Sequence, residues 1–249
     1  MLLIDAHAHL EHKSFKDIDK VMERAEKVGI KAIINAGTNP KTNRTTLKLS
    51  KKYSIVQPAL GIHPTDSISL TKKEINQELN FIEKNKSNII AIGEIGLDYH
   101  WHKKEKEFAK QIEVFKKLLN LAEKLSKPVF IHSRNAVKET LEILKKYKLK
   151  IILHSFEGNK RQIQEAIKQG YYFSVPTSIV RSMHFQSLVR MVPLSKLLTE
   201  TDAPFLPPRL GQINEPAFIK ESIKTISKIK QITKKEAANN IFLNYTNLF

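Results

Sequence analysis

The chain has 249 residues, close to the roughly 250 of one (β/α)8 barrel, and 41% of them are hydrophobic, which supplies a core and argues against disorder. There is no cysteine, so disulfides, thiolate metal sites and a cysteine nucleophile are excluded, and His, Asp and Glu remain as candidate metal ligands. The 42 Lys and Arg against 25 Asp and Glu give +17, which attracts polyanions such as nucleic acid, although paired lysines (Lys51-Lys52, Lys72-Lys73, Lys103-Lys104, Lys116-Lys117, Lys145-Lys146) also suit solvated helix faces.

The opening MLLIDAHAHL lacks a basic region and runs straight into polar residues, so no signal peptide is read there. No apolar stretch approaches the roughly 20 residues of a membrane helix, and the expectation is a soluble, cytoplasmic protein with no membrane partner. Strand-type runs follow at Leu2–His7, Lys31–Gly37, Ile55–Gly61, Ile89–Gly93, Pro128–His132, Ile151–His154, Tyr171–Val175 and Leu197–Thr201. Most are continuous Val, Ile, Leu and Ala, as in a parallel sheet buried on both faces. Between them, Lys16–Val28 repeats its apolar residues at helical spacing, as does Glu105–Leu125. Thr71-x-x-Glu74 and Thr233-x-x-Glu236 have the form of capping boxes, and a last helix spans Lys234–Leu248. Eight strand-then-helix units with no linker or composition shift predict an α/β fold, a TIM (β/α)8 barrel in a single domain over 1–249. The competing doubly wound sheet would show a Gly-rich turn after the first strand, and none is present.

The histidines and carboxylates fall where such a barrel builds its site. His7, His9, His63, His132 and His154 sit at or just past strand ends, Glu94 follows the fourth strand and Asp202 the eighth. Those ends converge on one face. Strand alternation points His7 and His9 the same way, with Asp5 one pleat deeper as a residue that could orient a ligand. Glu94 emerges from an apolar run, where an unpaired carboxylate is costly and a cation removes the cost. Its two oxygens could bridge two cations, and Gly93 and Gly96 beside it read as leaving room for metals and substrate. His132 and His154, on adjacent strands, could share a second metal.

Six motifs then resemble, in order, those of TatD-type deoxyribonucleases of the amidohydrolase superfamily. They are Asp5-Ala6-His7-Ala8-His9, Gly61-Ile62-His63-Pro64, Gly93-Glu94-Ile95-Gly96-Leu97-Asp98, His132-Ser133-Arg134, His154-Ser155-Phe156 and Glu200-Thr201-Asp202-Ala203-Pro204. Asn214-Glu215-Pro216 extends the match almost to the end of the chain. The resemblance implies a binuclear site in which His7, His9, Glu94 and Asp202 hold one ion, while Glu94 bridges to a second held by His132 and His154. It implies cleavage of DNA phosphodiester bonds, often from an end, on single-stranded or end-frayed DNA, with no obligate protein partner. It also makes Asn214 and Glu215 substrate-binding residues. One departure is Ser155 and Glu157 where the family reads Cys and Ser, which adds a negative charge near the mouth.

The chemistry asked of such a site assigns Glu94 and Asp202 as catalytic, with Asp202 accepting the proton of the attacking water. His63 and Arg134 are candidate phosphate contacts, His63 having a loop hydrogen bond before Pro64 as its alternative. Four imidazoles with two carboxylates suit Zn²⁺ or Mn²⁺ better than Mg²⁺, while the resemblance points to Mg²⁺ or Mn²⁺. Two other readings stay open: the same metal site acting as an esterase, lactonase, amidase or aminoacyl-tRNA deacylase, and a silent nucleic-acid binder.

Overall fold

The eight apolar runs form eight parallel strands in the computed structural model, which describes residues 1–102 and 104–249; Lys103 of the Lys103-Lys104 pair lies outside them. The strands are β1 (Leu3–Ala8), β2 (Ile30–Ala36), β3 (Val56–Leu60), β4 (Ala91–Gly96), β5 (Val129–His132), β6 (Ile151–His154), β7 (Tyr172–Val175) and β8 (Leu197–Thr199). They pair in sequence order, each parallel to the next. All six residues of β1 and of β4 are buried, which is why these runs do not alternate apolar with polar. The fold is the expected α/β barrel.

Around the sheet lie α1 (Ile18–Lys27), α2 (Pro40–Lys52), α3 (Pro64–Ser69), α4 (Lys72–Lys84), α5 (Glu105–Leu125), α6 (Val137–Leu144), α7 (Lys160–Lys168), α8 (Met183–Met191), α9 (Ile219–Lys230) and α10 (Lys234–Leu248). Both expected capping boxes form: Thr71 Oγ1 accepts from Glu74 N at the start of α4, and Thr233 Oγ1 from Glu236 N at the start of α10. The inner side of α5 buries Val114, Phe115, Leu118, Leu119 and Ala122, whereas Lys116 points to solvent. Lysines at 51, 52, 72 and 73 are likewise exposed on outer helices, and Lys145 and Lys146 in the turn after α6. Among the described residues no helix is long and apolar enough to cross a membrane.

Two strands end more than one residue away from the sequence reading, and both bear on the site. β4 does not stop at Gly93 but runs through Glu94 to Gly96, which pairs with His132. The glycines permit this close approach: a Cβ on Gly93 would press on Phe130, and one on Gly96, whose φ is +145°, would overlap the His132 carbonyl. The space that they leave is taken by β5 rather than by metals and substrate.

β8 ends at Thr199, two residues early, because the chain turns to close the barrel. Asp202 N donates to His7 O at 2.9 Å, His9 N to Ala203 O at 2.8 Å, and Thr199 Oγ1 to Ile4 O at 2.9 Å. Asp5 fastens the same seam: it accepts from Thr201 N at 2.8 Å, from Thr201 Oγ1 at 2.5 Å and from His7 N at 3.3 Å. It thus ties the His7 backbone to Thr201 just beyond β8 and bonds to no imidazole among the described residues, so its hold on the His7 ligand runs through the main chain. Burial pushes the Asp5 carboxyl up to about 8 despite these bonds.

Candidate metal centre

Closing the barrel brings His7, His9, Glu94, His132, His154 and Asp202 from five strand ends into one cluster, all buried except the half-buried His132. Glu94 is at its centre, and its two oxygens face different neighbours. Oε2 lies 3.3 Å from His7 Nε2 and 3.5 Å from His9 Nε2. Oε1 lies 2.8 Å from His132 Nδ1 and 3.7 Å from His154 Nε2. Asp202 Oδ1 is 3.5 Å from His9 Nε2 and 3.9 Å from both His7 Nε2 and His154 Nε2. His7 and His154 stack at 3.9 Å between ring centroids.

The outward nitrogens determine what the inward ones can do. His9 Nδ1 donates to the Ala36 carbonyl at 3.0 Å, and His154 Nδ1 to Glu200 Oε2 at 2.9 Å. His132 Nε2 donates to Asp98 Oδ2 at 2.9 Å. In its neutral form each of these rings therefore turns a lone pair toward the carboxylates. Such a lone pair 2.8 Å from Glu94 Oε1, and two inward nitrogens of His7 and His9 at 3.3 Å, repel unless a proton or cation stands between them. Among the described residues neither Glu94 nor Asp202 pairs with a Lys or Arg, so the donor set fits divalent cations. His7 Nδ1 is buried with no hydrogen-bond partner among the described residues.

The electrostatics follow from this crowding. Burial alone would raise Glu94; the electrostatic field of the surrounding imidazoles, His63 foremost, and hydrogen bonds from His132 and His7 reverse the sign and hold it well below the usual range. Burial opposes a charge on His9, yet the hydrogen bond to Asp202 and the charges of Glu94, Asp202 and Glu11 push it up to about 9. His154 is likewise raised, against burial, to about 10 by the charges of Glu200 and Asp202. Asp202 is lowered because His154 and His9 outweigh its burial.

Of the candidate substrate residues, His63 and Arg134 line the same cavity as the cluster, and Asn214 and Glu215 do not. His63 Nδ1 accepts from Thr65 N at 3.3 Å, the alternative foreseen for it, which leaves Nε2–H aimed at Glu94 Oε1 3.6 Å away. Burial pulls its pKa down to about 3. Arg134 is exposed at the rim. Asn214 is fully buried and donates to Thr177 Oγ1, Thr201 O and Phe205 O at 2.8, 2.7 and 2.6 Å, so it fixes the loop after β8 instead of meeting substrate. Glu215 forms a bidentate pair with Arg24 of α1 at 2.6–3.0 Å, outside the cavity. Sequence reasoning missed Glu200 and Asp98 as the partners of His154 and His132, although both stand in the quoted motifs. Ser155 also donates to Glu200 Oε1, at 2.9 Å from N and 2.7 Å from Oγ, while Glu157 is exposed at the rim.

The cluster opens into a cavity of about 1150 Å³, whose cationic rim residues are Lys13, Lys41 and Arg134. A family model described as TatD related DNase matches residues 4–249. The metal-dependent hydrolase MJ1582 of Methanocaldococcus jannaschii is 37% identical over 247 residues, covering 99% of this chain and 96% of that protein. Human deoxyribonuclease TATDN3 is 34% identical over 258 residues, covering 99% and 94%. The crystal structure of a TatD homologue from Escherichia coli K12 superimposes with a TM-score of 0.91 at 27% identity, over 99% of this chain and 97% of that one. With the same barrel, the same end-to-end coverage and its His, Glu and Asp residues gathered at one mouth, this chain belongs to the TatD-related DNase family.

Proposed function

We propose that the protein is a metal-dependent deoxyribonuclease with a binuclear centre, trimming DNA from single-stranded or frayed ends. The observation that carries the reading is Glu94: one oxygen faces His7 and His9, the other faces His132 and His154. His7, His9 and Asp202 would hold one ion and His132 and His154 the other, with Glu94 shared. The donor set suits Zn²⁺ or Mn²⁺, and Mg²⁺ less well. Bound divalent ions supply a lowered pKa for the attacking water and positive charge against the phosphate oxygens.

The chain's own residues do the rest. Asp202 is held ionised, since its pKa is lowered, and its carboxylate takes the proton from the attacking water. His63, neutral and with Nε2–H toward the centre, donates to a non-bridging oxygen. Arg134 at the rim binds a phosphate by charge-assisted hydrogen bonds. The +17 charge favours a polyanionic substrate over a neutral ester.

The test is hydrolysis of end-labelled single-stranded DNA set against an ester and lactone panel, with and without chelator. DNA cleavage lost in chelator and in Glu94→Ala and Asp202→Ala is the expected result. Ester turnover with intact DNA would sink the nuclease reading, and full activity in either variant would refute the assigned roles.

A further inference from the structure

The rim of the cavity holds an aromatic residue that neither the barrel nor the metal chemistry needs. Trp101, the one tryptophan in the sequence, follows β4 and leaves 66% of its surface exposed. An indole is the largest apolar side chain, and burying it would stabilise the fold, so leaving it in water at a site mouth calls for a ligand-based reason. Three contacts show that its place is built. Its backbone N–H donates to Asp98 Oδ1 at 3.3 Å, beside the shorter bond from His100 N at 2.8 Å. The other oxygen of that carboxylate, Oδ2, holds His132. The indole is thus tied through a single side chain to the imidazole that faces Glu94. His100 meets the ring edge-on at 4.6 Å, and the Arg134 guanidinium lies 5.5 Å from its centroid.

We infer that Trp101 is a specificity residue that stacks on an unpaired nucleobase while the neighbouring Arg134 meets that nucleotide's phosphate. This rests on the deoxyribonuclease reading and deepens it. A flat apolar face beside a cation that forms no ion pair among the described residues is the combination that single-stranded nucleic acid recognises, because every base has a π-face and every link a charge. Inside a duplex both faces of each base are already stacked, so the indole cannot slip beside an internal base, and it holds an end nucleotide together with its phosphate only once that end frays. Discrimination between paired and unpaired ends would then come from the rim, and the bond broken would be set by the cluster below.

Because the chain has one tryptophan, its emission reports the contact directly. The probe is the metal-loaded protein with an uncleavable phosphorothioate oligothymidylate of about ten residues. The control is an equally long strand whose sugars carry no base. Stacking predicts that emission is quenched saturably by the oligothymidylate, and that the baseless strand, bound as shown by competition, leaves it unchanged. In steady-state assays Trp101→Ala should raise KM for single-stranded oligothymidylate roughly tenfold with a smaller change in kcat, and Trp101→Phe should recover most of the loss. The inference is overturned if the bound oligomer leaves the emission unaltered, if the baseless strand quenches equally, or if Trp101→Ala keeps the wild-type KM. A wild type that cleaves no DNA refutes the nuclease reading instead, and the emission experiment still decides the stacking.

Discussion

Behind three of the clustered imidazoles stands an acceptor that fixes which nitrogen faces inward, and this is where single substitutions should tell most. Glu200 → Gln keeps the shape of the His154 partner but removes its charge, so the ring is held less firmly in the right tautomer. Metal affinity should fall 10- to 100-fold, read by competition with a chromogenic chelator, with the fold retained. Asp98, which is pulled down to about 2 by the His132 hydrogen bond despite its burial, plays the same part for His132. The raised imidazoles make a pH prediction with a definite sign. In the metal-free chain His9 and His154 stay protonated up to about 9 and 10, and an entering ion must displace those protons. Affinity should therefore rise with pH through the neutral range toward those values, and calorimetry in buffers of different ionisation enthalpy should show proton release on loading. The cluster itself was legible in the sequence because its members sit at strand ends, which a barrel must gather. Glu200 as the partner of His154 was not, since that contact depends on how the segment after β8 meets β6. Asn214 and Glu215 were misplaced because a motif carries no information on burial, and both side chains are spent on the protein itself.

At the level of elements, β4 is the strand whose exact path matters most. Gly96 → Ala would set a methyl against the His132 carbonyl at a φ of +145°, forcing β4 and β5 apart where they carry Glu94 and His132. A loss of about 3 kcal/mol in denaturant unfolding, at the upper end for a single substitution, is expected, together with loss of hydrolysis. Periodicity recovered every strand, yet ended β4 at Gly93, because glycine reads as a strand breaker when the neighbouring strand's closeness is unknown. Helix limits set by local chemistry were easier. The bounds of α5 and α10 agree with the sequence reading, and both capping boxes were visible from Thr and Glu spacing alone. The opening strand-end histidines also needed only period two. The Asp5 contact did not follow from it, since its partner, Thr201, lies 196 residues away.

For the whole molecule, charge and closure have separate consequences. The +17 is spread over outer helices as well as the rim, so composition could not say which cations meet a substrate. The structure places Lys13, Lys41 and Arg134 on the cavity. KM for a DNA oligomer should climb linearly in logarithm with log salt, and Lys13 → Ala or Lys41 → Ala should reduce that slope by about one, whereas Lys72 → Ala on outer α4 should leave it unchanged. An unaltered slope in the rim variants would mean that the strand leaves the mouth by another side. The seam carries a different lesson. It joins His7 to Asp202 through the main chain, and so the first strand acquires its last companion only after some 200 residues have been made. On the ribosome, a chain grown through β7 already contains His7, His9, Glu94, His132 and His154 and still has no Asp202. With the proposed role of Asp202, the hydrolytic centre comes into being with the final turn of the barrel, and an unfinished copy is expected to be silent.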